Sequence, residues 1–475
     1  MKKIVILFFA LLLLNTANAE VKLAAILGDN MVLQQQTKAN LWGKATPKSN
    51  VLIRTSWNGK TYTTKADDKG EWIQAVETPK AGGPYEITFS DGTTLTIKNI
   101  LIGEVWLCSG QSNMEQPMSG YFGEPTYEST DLINLARPER QIRIATVQKD
   151  WSRTPVEECK TAGWELNTPD VVARATAIGY FFANYLEKAL DVPIGIIHSS
   201  WGGSTIETWL DKESFNAFPE FDLAFLNQSG EVKNPNQPPT LLYNAMIDPI
   251  KEYTVKGVLW YQGESNRGRH SQYERLAERH INKWRELFSN PTMPFYFVQI
   301  APYQYDDPNG WTSGYFYESQ SKIAANNPNT GMVVSVDTGE KECIHPAHKR
   351  EIAERLAYWA LGDTYKLPIK YKSPVYKSME VKENKILLTF ENNEGMWSPI
   401  YNQIPGFEIA GADKIFYPAK ATLIGRGRTI EVNSDQVSNP TAVRYCFRNY
   451  QVGQVFSNLG LPLAPFRTDN WDTEK

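Results

Sequence analysis

Hydrophobic and polar positions follow two different rhythms along this chain, and the first covers residues 20–100. Short segments there alternate apolar with polar residues and are separated by turn dipeptides such as Asn58-Gly59 and Asp91-Gly92. Asn-Gly and Asp-Gly between strand-like segments are typical of β-hairpins. The pattern predicts a small antiparallel β domain over residues 20–100. Because it holds no cluster of titratable residues, we interpret it as a structural or binding module.

The second rhythm, between residues 101 and 363, alternates apolar strand-like segments with helical patterns. Strands are predicted at residues 142–147, 194–198, 257–261, 294–300 and 331–336, and helices at residues 173–190, 272–288 and 349–361. Because strands separated by helices are joined by crossover connections, this region should form an α/β domain with a mostly parallel sheet covered on both faces. In such sheets the ligand lies beyond the carboxyl ends of the strands.

The β pattern returns in the last part of the chain, between residues 364 and 475. Strand-like segments are predicted at residues 374–381, 385–391, 407–409, 422–425, 429–432 and 443–448. This C-terminal region is therefore predicted to be β-rich.

Residues 1–19 have the composition of a secretory signal peptide. Lys2 and Lys3 precede an apolar run at residues 4–14, and the segment ends in Ala-Asn-Ala at residues 17–19. The apolar run is too short to cross a bilayer, whereas the basic start and the Ala-x-Ala ending favour cleavage after Ala19. No later stretch is long and apolar enough to span a membrane. We expect a soluble protein that is exported to the periplasm or the cell exterior.

The composition argues against nucleic acid or membrane partners. The chain of 475 residues carries 49 Lys and Arg against 53 Asp and Glu, and without residues 1–19 the formal charge is about −6. Such mild acidity offers no basic surface for nucleic acid or anionic lipid. The chain also has 14 Trp and 23 Tyr, and exposed aromatic rings commonly hold sugar faces, although aromatic-rich β structure explains the same count. We therefore expect a small-molecule or glycan partner and leave the oligomeric state open.

The strongest candidate nucleophile lies in residues 103–118, which read GEVWLCSGQSNMEQPM. An apolar run from Val105 to Cys108 ends abruptly in small and amide residues that suit a tight turn. An α/β protein presents a nucleophile at such a strand end, which makes Ser112 the candidate. Because a serine hydroxyl is a weak nucleophile by itself, it requires a nearby base and hydrogen-bond donors for an oxyanion.

Three later stretches also run from a strand into polar or glycine-rich sequence. They are residues 196–205 (IIHSSWGGST), 258–266 (VLWYQGESN) and 337–349 (DTGEKECIHPAHK). Adjacent glycines such as Gly202 and Gly203 let backbone N–H groups approach a ligand closely, as oxyanion donors must, although an ordinary strand-to-helix turn has the same composition. The hydrogen-bonding side chains that follow Tyr261 indicate a polar site at the end of that strand.

The base must come from the five histidines, since a serine mechanism needs a group that titrates near neutrality. His280 lies in a helical pattern with charged neighbours and is interpreted as a surface residue, and His198 as a packed core residue. No neighbouring residue supports His270. His345 is favoured by elimination and by context: it precedes a predicted helix, and Glu342, three residues upstream, could hold the imidazole in the required tautomer.

Two other catalytic arrangements fit less well. A metal site is disfavoured because His345 and His348 lie in no HExxH or comparable pattern, and the widely spaced cysteines fit neither a zinc site nor a compact disulfide framework. The α/β-hydrolase elbow fails, since none of the Gly-x-Ser triplets at Ser112, Ser204 and Ser265 is followed by the second glycine of G-x-S-x-G. We therefore expect no metal and no other cofactor, and assign the cysteines no catalytic role.

Together, these motifs resemble the sialate O-acetylesterase family of SGNH (GDSL-like) hydrolases. The resemblance is carried by GEVWLCSGQSNM (103–114), the Trp-Gly-Gly segment ending in Trp209, WYQGESN (260–266) and IHP (344–346) followed by a helix. It also includes residues 28–35 and 460–469, so it extends over most of the chain. Four ordered motifs together are highly specific. The resemblance implies a three-layer α/β/α core of the SGNH type with a mostly parallel sheet, flanked by antiparallel β domains.

The resemblance also implies roles for individual residues. Ser112 matches the family nucleophile and His345 the general base. The implied oxyanion donors are the backbone of Ser112, a glycine of the Gly202-Gly203 pair and the side chain of Gln262. Further candidates, for contacts with the substrate, are Gln111, Asn113, Trp201 and Glu264.

The acidic member of the triad is left open by the sequence. The family pattern has Asp three residues before the histidine, whereas this chain has Glu342 there, one methylene longer. Either Glu342 serves, or Asp337 does, or Ser112 and His345 work as a dyad in which a backbone carbonyl orients the imidazole. Glu342 is our prediction.

The resulting hypothesis is an exported serine esterase that removes acetyl groups from the hydroxyls of sugars, with sialic acid as the first candidate substrate. An acetyl-xylan or other polysaccharide deacetylase keeps the chemistry and changes the substrate. A carbohydrate-binding protein with an inert hydrolase core is a third interpretation. The presence of both Ser112 and His345 argues against it.

Overall fold

The N-terminal part of the chain folds into two β-sheets. The computed structural model describes residues 20–307 and 310–471, and the predicted signal peptide at residues 1–19 lies outside the described residues. The strands are β1 (Lys22–Leu23), β2 (Val32–Gln34), β3 (Lys38–Lys44), β4 (Asn50–Thr55), β5 (Thr61–Lys65), β6 (Glu71–Glu77), β7 (Gly82–Ser90) and β8 (Thr94–Gly110). One antiparallel sheet has the order β1-β3-β6, and in the other β4 pairs with β5 and β7, and β7 pairs with β8.

The alternating sequence pattern explains how these two sheets pack. Along β4, Val51, Ile53 and Thr55 are buried while the residues between them are exposed. The buried side chains of both sheets, including Leu41 and Phe89, belong to one hydrophobic cluster. The antiparallel β structure predicted for residues 20–100 is therefore confirmed.

Strand β8 belongs to two sheets at once. Its first half pairs antiparallel with β7, from Ser90 opposite Thr94 to Gly82 opposite Ile102. Its second half continues into the middle of the next sheet, and every residue from 100 to 110 is buried. The domain boundary predicted at residue 100 thus falls inside one continuous strand of 17 residues.

The central sheet has the order β10-β9-β11-β8-β12-β13-β14. The added strands are β9 (Ile142–Val147), β10 (Thr161–Leu166), β11 (Ile194–Ser200), β12 (Gly257–Tyr261), β13 (Phe295–Val298) and β14 (Thr330–Val333). Neighbouring strands from β9 to β14 along this order run parallel, and only the edge strand β10 is antiparallel to its neighbour. Strands β11 to β14 are buried along their whole length, as expected for a sheet covered on both faces.

Helices cover both faces of this sheet. The α-helices in the described residues are α1 (Ser112–Glu115), α2 (Thr130–Asn134), α3 (Pro169–Arg174), α4 (Ala177–Leu190), α5 (His270–Leu287), α6 (Thr312–Asn326) and α7 (Lys349–Trp359). Because side chains alternate along a strand, Leu107 of β8 packs in the cluster that includes residues of α5 and α6. Its neighbour Trp106 packs in the cluster of α4 and α7. The predicted three-layer α/β/α core is confirmed.

The predicted helix at residues 173–190 is broken into α3 and α4. Ala175 between them has an extended backbone with ψ 148°. Thr176 then caps α4, because its Oγ1 accepts a hydrogen bond from the N–H of Gly179 at 3.3 Å. The same hydroxyl donates to the carbonyl of Met114 at 2.6 Å. The break therefore supports α1, the short helix that begins at Ser112.

The C-terminal part is β-rich, as predicted. Its strands are β15 (Val375–Lys382), β16 (Lys385–Glu391), β17 (Met396–Trp397), β18 (Phe407–Ala410), β19 (Phe416–Pro418), β20 (Lys420–Ile424), β21 (Thr429–Asn433), β22 (Ala442–Tyr445), β23 (Phe456–Ser457) and β24 (Phe466–Arg467). They form four-stranded sheets of order β15-β16-β21-β20 and β19-β18-β22-β24 and the pair β17-β23. Arg467 of β24 forms an ion pair with Glu318 of α6 at 2.8 Å, which ties this region to the central domain. Within the described part of the chain, no helix is long and apolar enough to cross a bilayer.

Candidate active site

The segment that carries Ser112 leaves the sheet at its centre. Strand β8 ends at Gly110, whose φ is +142°, and a Cβ there would lie 2.1 Å from the carbonyl oxygen of Tyr261. Only glycine lets β8 end so close to β12. The N–H of Gln111 then donates to the carbonyl of Tyr261 at 2.9 Å, and α1 begins at the next residue. Ser112 therefore lies at the carboxyl edge of the central strand, as the sequence predicts.

The N–H of Ser112 is free to bind a ligand. The N–H groups of Met114 and Glu115 both donate to the carbonyl of Gln111, at 2.9 Å each. The first N–H groups of a helix have no acceptor within the helix. Among the residues that the structure describes, no group accepts a hydrogen bond from the N–H of Ser112. This donor faces no competing bond.

The imidazole of His345 is bound to a carboxylate, and that carboxylate is Glu124. The Nδ1 atom of His345 lies 2.7 Å from Oε2 of Glu124. Glu124 is presented by a tight turn, since the N–H groups of Tyr121 and Glu124 each donate to the other residue's carbonyl, at 2.9 and 3.1 Å. Both side chains are partly buried, with exposed fractions of 18% for His345 and 32% for Glu124. A carboxylate at Nδ1 leaves Nε2 as the nitrogen available for proton transfer.

This geometry corrects the predicted acid. Glu342, the predicted acid, is exposed to solvent. The carboxylate at Nδ1 of His345 belongs to Glu124 instead. Asp337 is held elsewhere, because both of its carboxylate oxygens accept hydrogen bonds from Arg355, at 2.8 and 2.6 Å. The dyad with a backbone carbonyl is also not what the structure has at this nitrogen.

Contacts from two neighbouring side chains hold the Ser112 and His345 segments together. The hydroxyl of Tyr121 donates to the carbonyl of Ser112 at 3.1 Å, while its ring packs edge-on against the His345 imidazole with centroids 5.3 Å apart. The Nδ2 of Asn113 donates to the carbonyl of Ile344 at 3.1 Å. The residue after Ser112 is thus bonded to the residue before His345, although the two are 231 positions apart in the chain.

Asn113 also joins a partly buried acid to a buried base. Its Nδ2 donates to Oε1 of Glu264 at 2.6 Å, and its Oδ1 accepts from Nζ of Lys349 at 2.5 Å. Burial raises the pKa of Glu264 and lowers the pKa of Lys349 to about 7, because the charged form of each is poorly solvated there. Nearby carboxylates, Glu264 foremost, oppose the shift of Lys349. Asn113 is 1% exposed, so its contacts fix the loops around Ser112 and leave little of it for a substrate.

The two glycines predicted as oxyanion donors have different partners. The N–H of Gly202 donates to Oε2 of Glu115 at 2.5 Å. The N–H of Gly203 has no acceptor within residues 20–307 and 310–471. A Cβ built on Gly202 would lie 3.3 Å from the Cβ of Ser112, so this turn directly faces the candidate nucleophile.

Gln262 does not have the geometry predicted for it. The side chain is fully buried, and its Nε2 donates to the carbonyl of Ser204 at 3.0 Å and to Oδ1 of Asn266 at 2.7 Å. Since an amide nitrogen carries two hydrogens, no N–H remains for an oxyanion. Gln262 therefore links the turn formed by Gly202 and Gly203, called the glycine turn below, to the loop after β12. This corrects the expectation that Gln262 is an oxyanion donor.

Of the remaining residues predicted to contact a substrate, Gln111 is buried between loops and Trp201 is half-buried. Gln111 is 3% exposed, and its Oε1 accepts from the N–H groups of Gly263 and Ser265 at 3.2 and 3.4 Å, so it too fastens loops together. Trp201 is half-buried, and the Nζ of Lys149 lies 5.8 Å from its ring centroid. Of the four candidates, Trp201 is the aromatic surface next to the glycine turn.

Two histidines outside the site are buried. His198 is bonded through Nε2 to Oγ of Ser200 at 2.5 Å, and burial lowers its pKa to about 4, in agreement with its interpretation as a core residue. The interpretation of His280 as a surface residue is wrong, since it is 1% exposed. It packs against Trp260 and Trp284, with ring centroids 4.4 Å away in each case. It lies seven residues after Tyr273 and four before Trp284, on the buried face of α5.

Glu124, Glu115 and Lys149 are site residues that the sequence patterns do not single out. Glu124 is 221 residues from His345 in the chain, so no local spacing relates the two. The available signal is weaker: both glutamates follow Ser112 closely in the chain, Glu115 at the end of α1 and Glu124 in the loop after it, at the edge where the site is expected. Lys149 follows β9, a strand of the same sheet, and its Nζ forms an ion pair with Oε1 of Glu115 at 2.5 Å.

Comparison with known proteins gives matches that extend across this site. A protein-family model described as "Carbohydrate esterase, sialic acid-specific acetylesterase" matches residues 102–361. A solved structure of a carbohydrate acetylesterase from Xanthomonas citri is 35% identical, with a TM-score of 0.86 and coverage of 95% of this chain and 100% of that chain. The sialate O-acetylesterases of Mus musculus and Homo sapiens are each 28% identical to this chain, with coverage of 79% of it and of 79% and 77% of those proteins.

The depressed pKa of Lys349 predicts a pH-dependent stability. Above about pH 7 the folded protein holds Lys349 neutral, while the unfolded chain keeps the lysine protonated up to about pH 10.4. The unfolded state then binds more protons, so the free energy of unfolding rises with pH across this window. We expect wild type to gain stability relative to Lys349→Met between pH 7 and 9, by at most about 1.4 kcal/mol per pH unit. Guanidinium unfolding of both proteins at several pH values measures this. Parallel pH dependences would contradict it.

Proposed function

The chain belongs to the sialic acid-specific acetylesterase family of carbohydrate esterases, and on that premise we propose that it hydrolyses O-acetyl esters of sugars, sialic acids first, with Ser112 as the nucleophile. The observation that carries this proposal is the His345–Glu124 pair beside the segment of Ser112. Glu124 and Tyr121 lie on one turn that contacts both the imidazole and the Ser112 carbonyl. A base oriented by a carboxylate next to a serine is the arrangement that activates a hydroxyl for attack.

In the proposed reaction, Ser112 attacks the acetyl carbonyl and His345 takes the hydroxyl proton at Nε2. Glu124 holds the Nδ1–H tautomer and stabilises the imidazolium that forms. His345 then gives the proton to the oxygen of the departing sugar, which leaves an acetyl group on Ser112. Water, activated by the same imidazole, releases acetate and restores the serine. Besides the substrate and water, the proposed steps use only side chains and backbone groups of this chain.

Two backbone donors are proposed to stabilise the oxyanion of the tetrahedral intermediate. The N–H of Ser112 and the N–H of Gly203 both lack an acceptor in the described part of the chain, and the glycine turn faces Ser112. Preorganised N–H groups of this kind contribute roughly 10²–10³ in rate each. The N–H of Gly202, which Glu115 already binds, is the less suitable of the two glycine donors.

The substrate has two candidates. The mouse and human relatives are sialate O-acetylesterases, which makes O-acetylated sialic acid the first. Acetylated neutral polysaccharide is the second, because the carboxylates of Glu124 and Glu264 lie beside the Ser112 segment and would oppose the carboxylate of a sialic acid. The 35% identical Xanthomonas citri relative is a carbohydrate acetylesterase. Acetate release from O-acetylated sialoglycoprotein, set beside release from acetylated xylan, separates the two.

Export is part of the proposal and rests on the signal-peptide pattern at residues 1–19. Cleavage after Ala19 would give a mature chain that begins at Glu20. N-terminal sequencing of protein recovered from the periplasm or the medium is expected to start at Glu20. Recovery of the protein only from the cytoplasm, with Met1 retained, would contradict export.

We expect Ser112→Ala to abolish hydrolysis of both the sugar esters and a chromogenic acetate ester. Loss of a nucleophile costs on the order of 10⁴-fold or more in rate. The matched control is Ser119→Ala, an exposed serine in the same loop, which should keep wild-type turnover. Circular dichroism checks that both variants are folded. Near-normal turnover in folded Ser112→Ala would move the nucleophile elsewhere.

We expect Glu124→Gln to lower kcat by up to about 10⁴-fold, because an amide at Nδ1 no longer fixes the tautomer or stabilises the imidazolium. Glu342→Gln is the control, since Glu342 is an exposed glutamate on the same loop as His345, and it should change kcat only a few-fold. Steady-state kinetics on the chromogenic ester measure both. A larger loss in Glu342→Gln would restore Glu342 as the acid, and small, equal losses would leave a dyad of Ser112 and His345.

A further inference from the structure

The carboxylate of Glu115 occupies a position that the proposed mechanism does not use. Its Oε2 accepts the N–H of Gly202 at 2.5 Å, and its Oε1 lies 2.5 Å from Nζ of Lys149. Glu115 is the last residue of α1, three positions after Ser112, and is 19% exposed. One carboxylate therefore bonds the nucleophile helix to the glycine turn that faces it.

The glycine turn needs such support. Gly203 has a left-handed φ of +69°, and two consecutive glycines give a backbone with few conformational restraints of its own. Glu115 fixes the peptide plane between Trp201 and Gly202 by holding its N–H. Asn236 fixes the next plane, because its Nδ2 donates to the carbonyl of Gly202 at 2.8 Å. In a trans peptide the N–H of Gly203 then points to the side opposite that carbonyl.

The two restraints together select one free donor. The Gly202 N–H and carbonyl are both bonded, whereas the Gly203 N–H has no acceptor in the described residues. The turn lies close to Ser112, since a Cβ built on Gly202 would come within 3.3 Å of the serine Cβ. A rotation of the Gly202–Gly203 plane would turn the Gly203 N–H away from this orientation, and the bond from Glu115 to the N–H of Gly202 anchors the residue from which that plane starts.

Lys149 balances the negative charge that Glu115 brings close to the proposed oxyanion. A negative charge beside a developing oxyanion destabilises the transition state. The ammonium of Lys149 lies against Glu115 and makes the pair neutral overall. An ion pair with a lysine that is 46% exposed contributes little to stability by itself. The bond from Glu115 to the backbone of Gly202 is therefore the contact that distinguishes this pair from an ordinary surface pair.

We propose that Glu115 is a positioning residue that fixes the Gly202–Gly203 turn so that the N–H of Gly203 is directed to the oxyanion, with Lys149 balancing its charge. This inference rests on the proposed serine esterase function. It predicts that Glu115 affects kcat and leaves KM unchanged, because the oxyanion donor acts mainly in the transition state.

The test uses the full chain and a chromogenic acetate ester. We expect Glu115→Ala to lower kcat on the order of 10²-fold with little change in KM, since a small misplacement of a catalytic group has this effect. Glu115→Gln should recover most of that loss, because its Oε1 still accepts from Gly202. Added sodium formate should raise kcat of Glu115→Ala alone, by placing a carboxylate between the Gly202 N–H and Lys149. The control is Glu157→Ala, which removes a Lys–Glu pair with Lys44 at the surface and should behave as wild type.

Each outcome decides the proposal. It is overturned if Glu115→Ala matches Glu157→Ala, or if the alanine and glutamine variants lose equally and formate restores neither. Should Glu115→Ala melt below the assay temperature, Glu115→Met, which keeps the side-chain volume but removes the acceptor, replaces it: a lower kcat at unchanged KM supports the proposal, and an unchanged kcat overturns it. Ser112→Ala in the same assay distinguishes failure of the serine mechanism from failure of the proposed role of Glu115. Activity in that variant refutes the serine mechanism itself, whereas its loss together with full activity in Glu115→Ala refutes only the role of Glu115.

Discussion

The whole site depends on three neighbouring strands that end level with one another. In the register of the parallel sheet, Gly110 of β8 lies opposite Ser200 of β11 on one side and Tyr261 of β12 on the other. The three loops that follow these strands therefore emerge side by side at one edge. Since β8 is continuous with the N-terminal sheets, its position is fixed at both ends. The absence of a side chain at Gly110 is what lets the Ser112 segment turn away at this edge, against the backbone of Tyr261.

Polar contacts then convert this common edge into one rigid assembly. Asn113 bonds the serine segment to the Glu264 and His345 loops, and Gln262 bonds the glycine turn to the loop after β12. Buried polar groups are costly without partners, so these bonds favour the loop arrangement in which they form, although Oε1 of Gln262 and Oε2 of Glu264 have no hydrogen-bond partner among the described residues. The shifted pKa of Lys349 is the electrostatic consequence of placing a lysine inside it. The same bonded loops thus position the Ser112 and His345 segments and bury Lys349.

The sequence predicts the parts of this molecule that depend on local pattern. Strands β9, β11 and β12, the serine after β8 and the histidine before α7 all follow from periodicity, motifs and elimination. Partners that are distant in the chain do not, and the Glu124–His345 contact is the main example. The helix α6 has no predicted counterpart because its buried face includes Ser313, Ser319 and Gln320, which weaken the apolar pattern. The i, i+4 spacing of His280 and Trp284 indicates that His280 lies on the buried face of α5, whereas its charged neighbours in the sequence favour a surface position.

Covalent labelling of Ser112 tests the central claim most directly. An activated organophosphate such as diethyl p-nitrophenyl phosphate reacts with an activated serine: Oγ forms a bond to phosphorus, nitrophenolate leaves, and the hydroxyl proton passes to the base. If Ser112 is the nucleophile, peptide mass spectrometry will find one diethylphosphoryl group per chain, on Ser112, and esterase activity will be lost in proportion to labelling. Inactivation accompanied by a label on Ser200 or Ser204, with Ser112 unmodified, would contradict it.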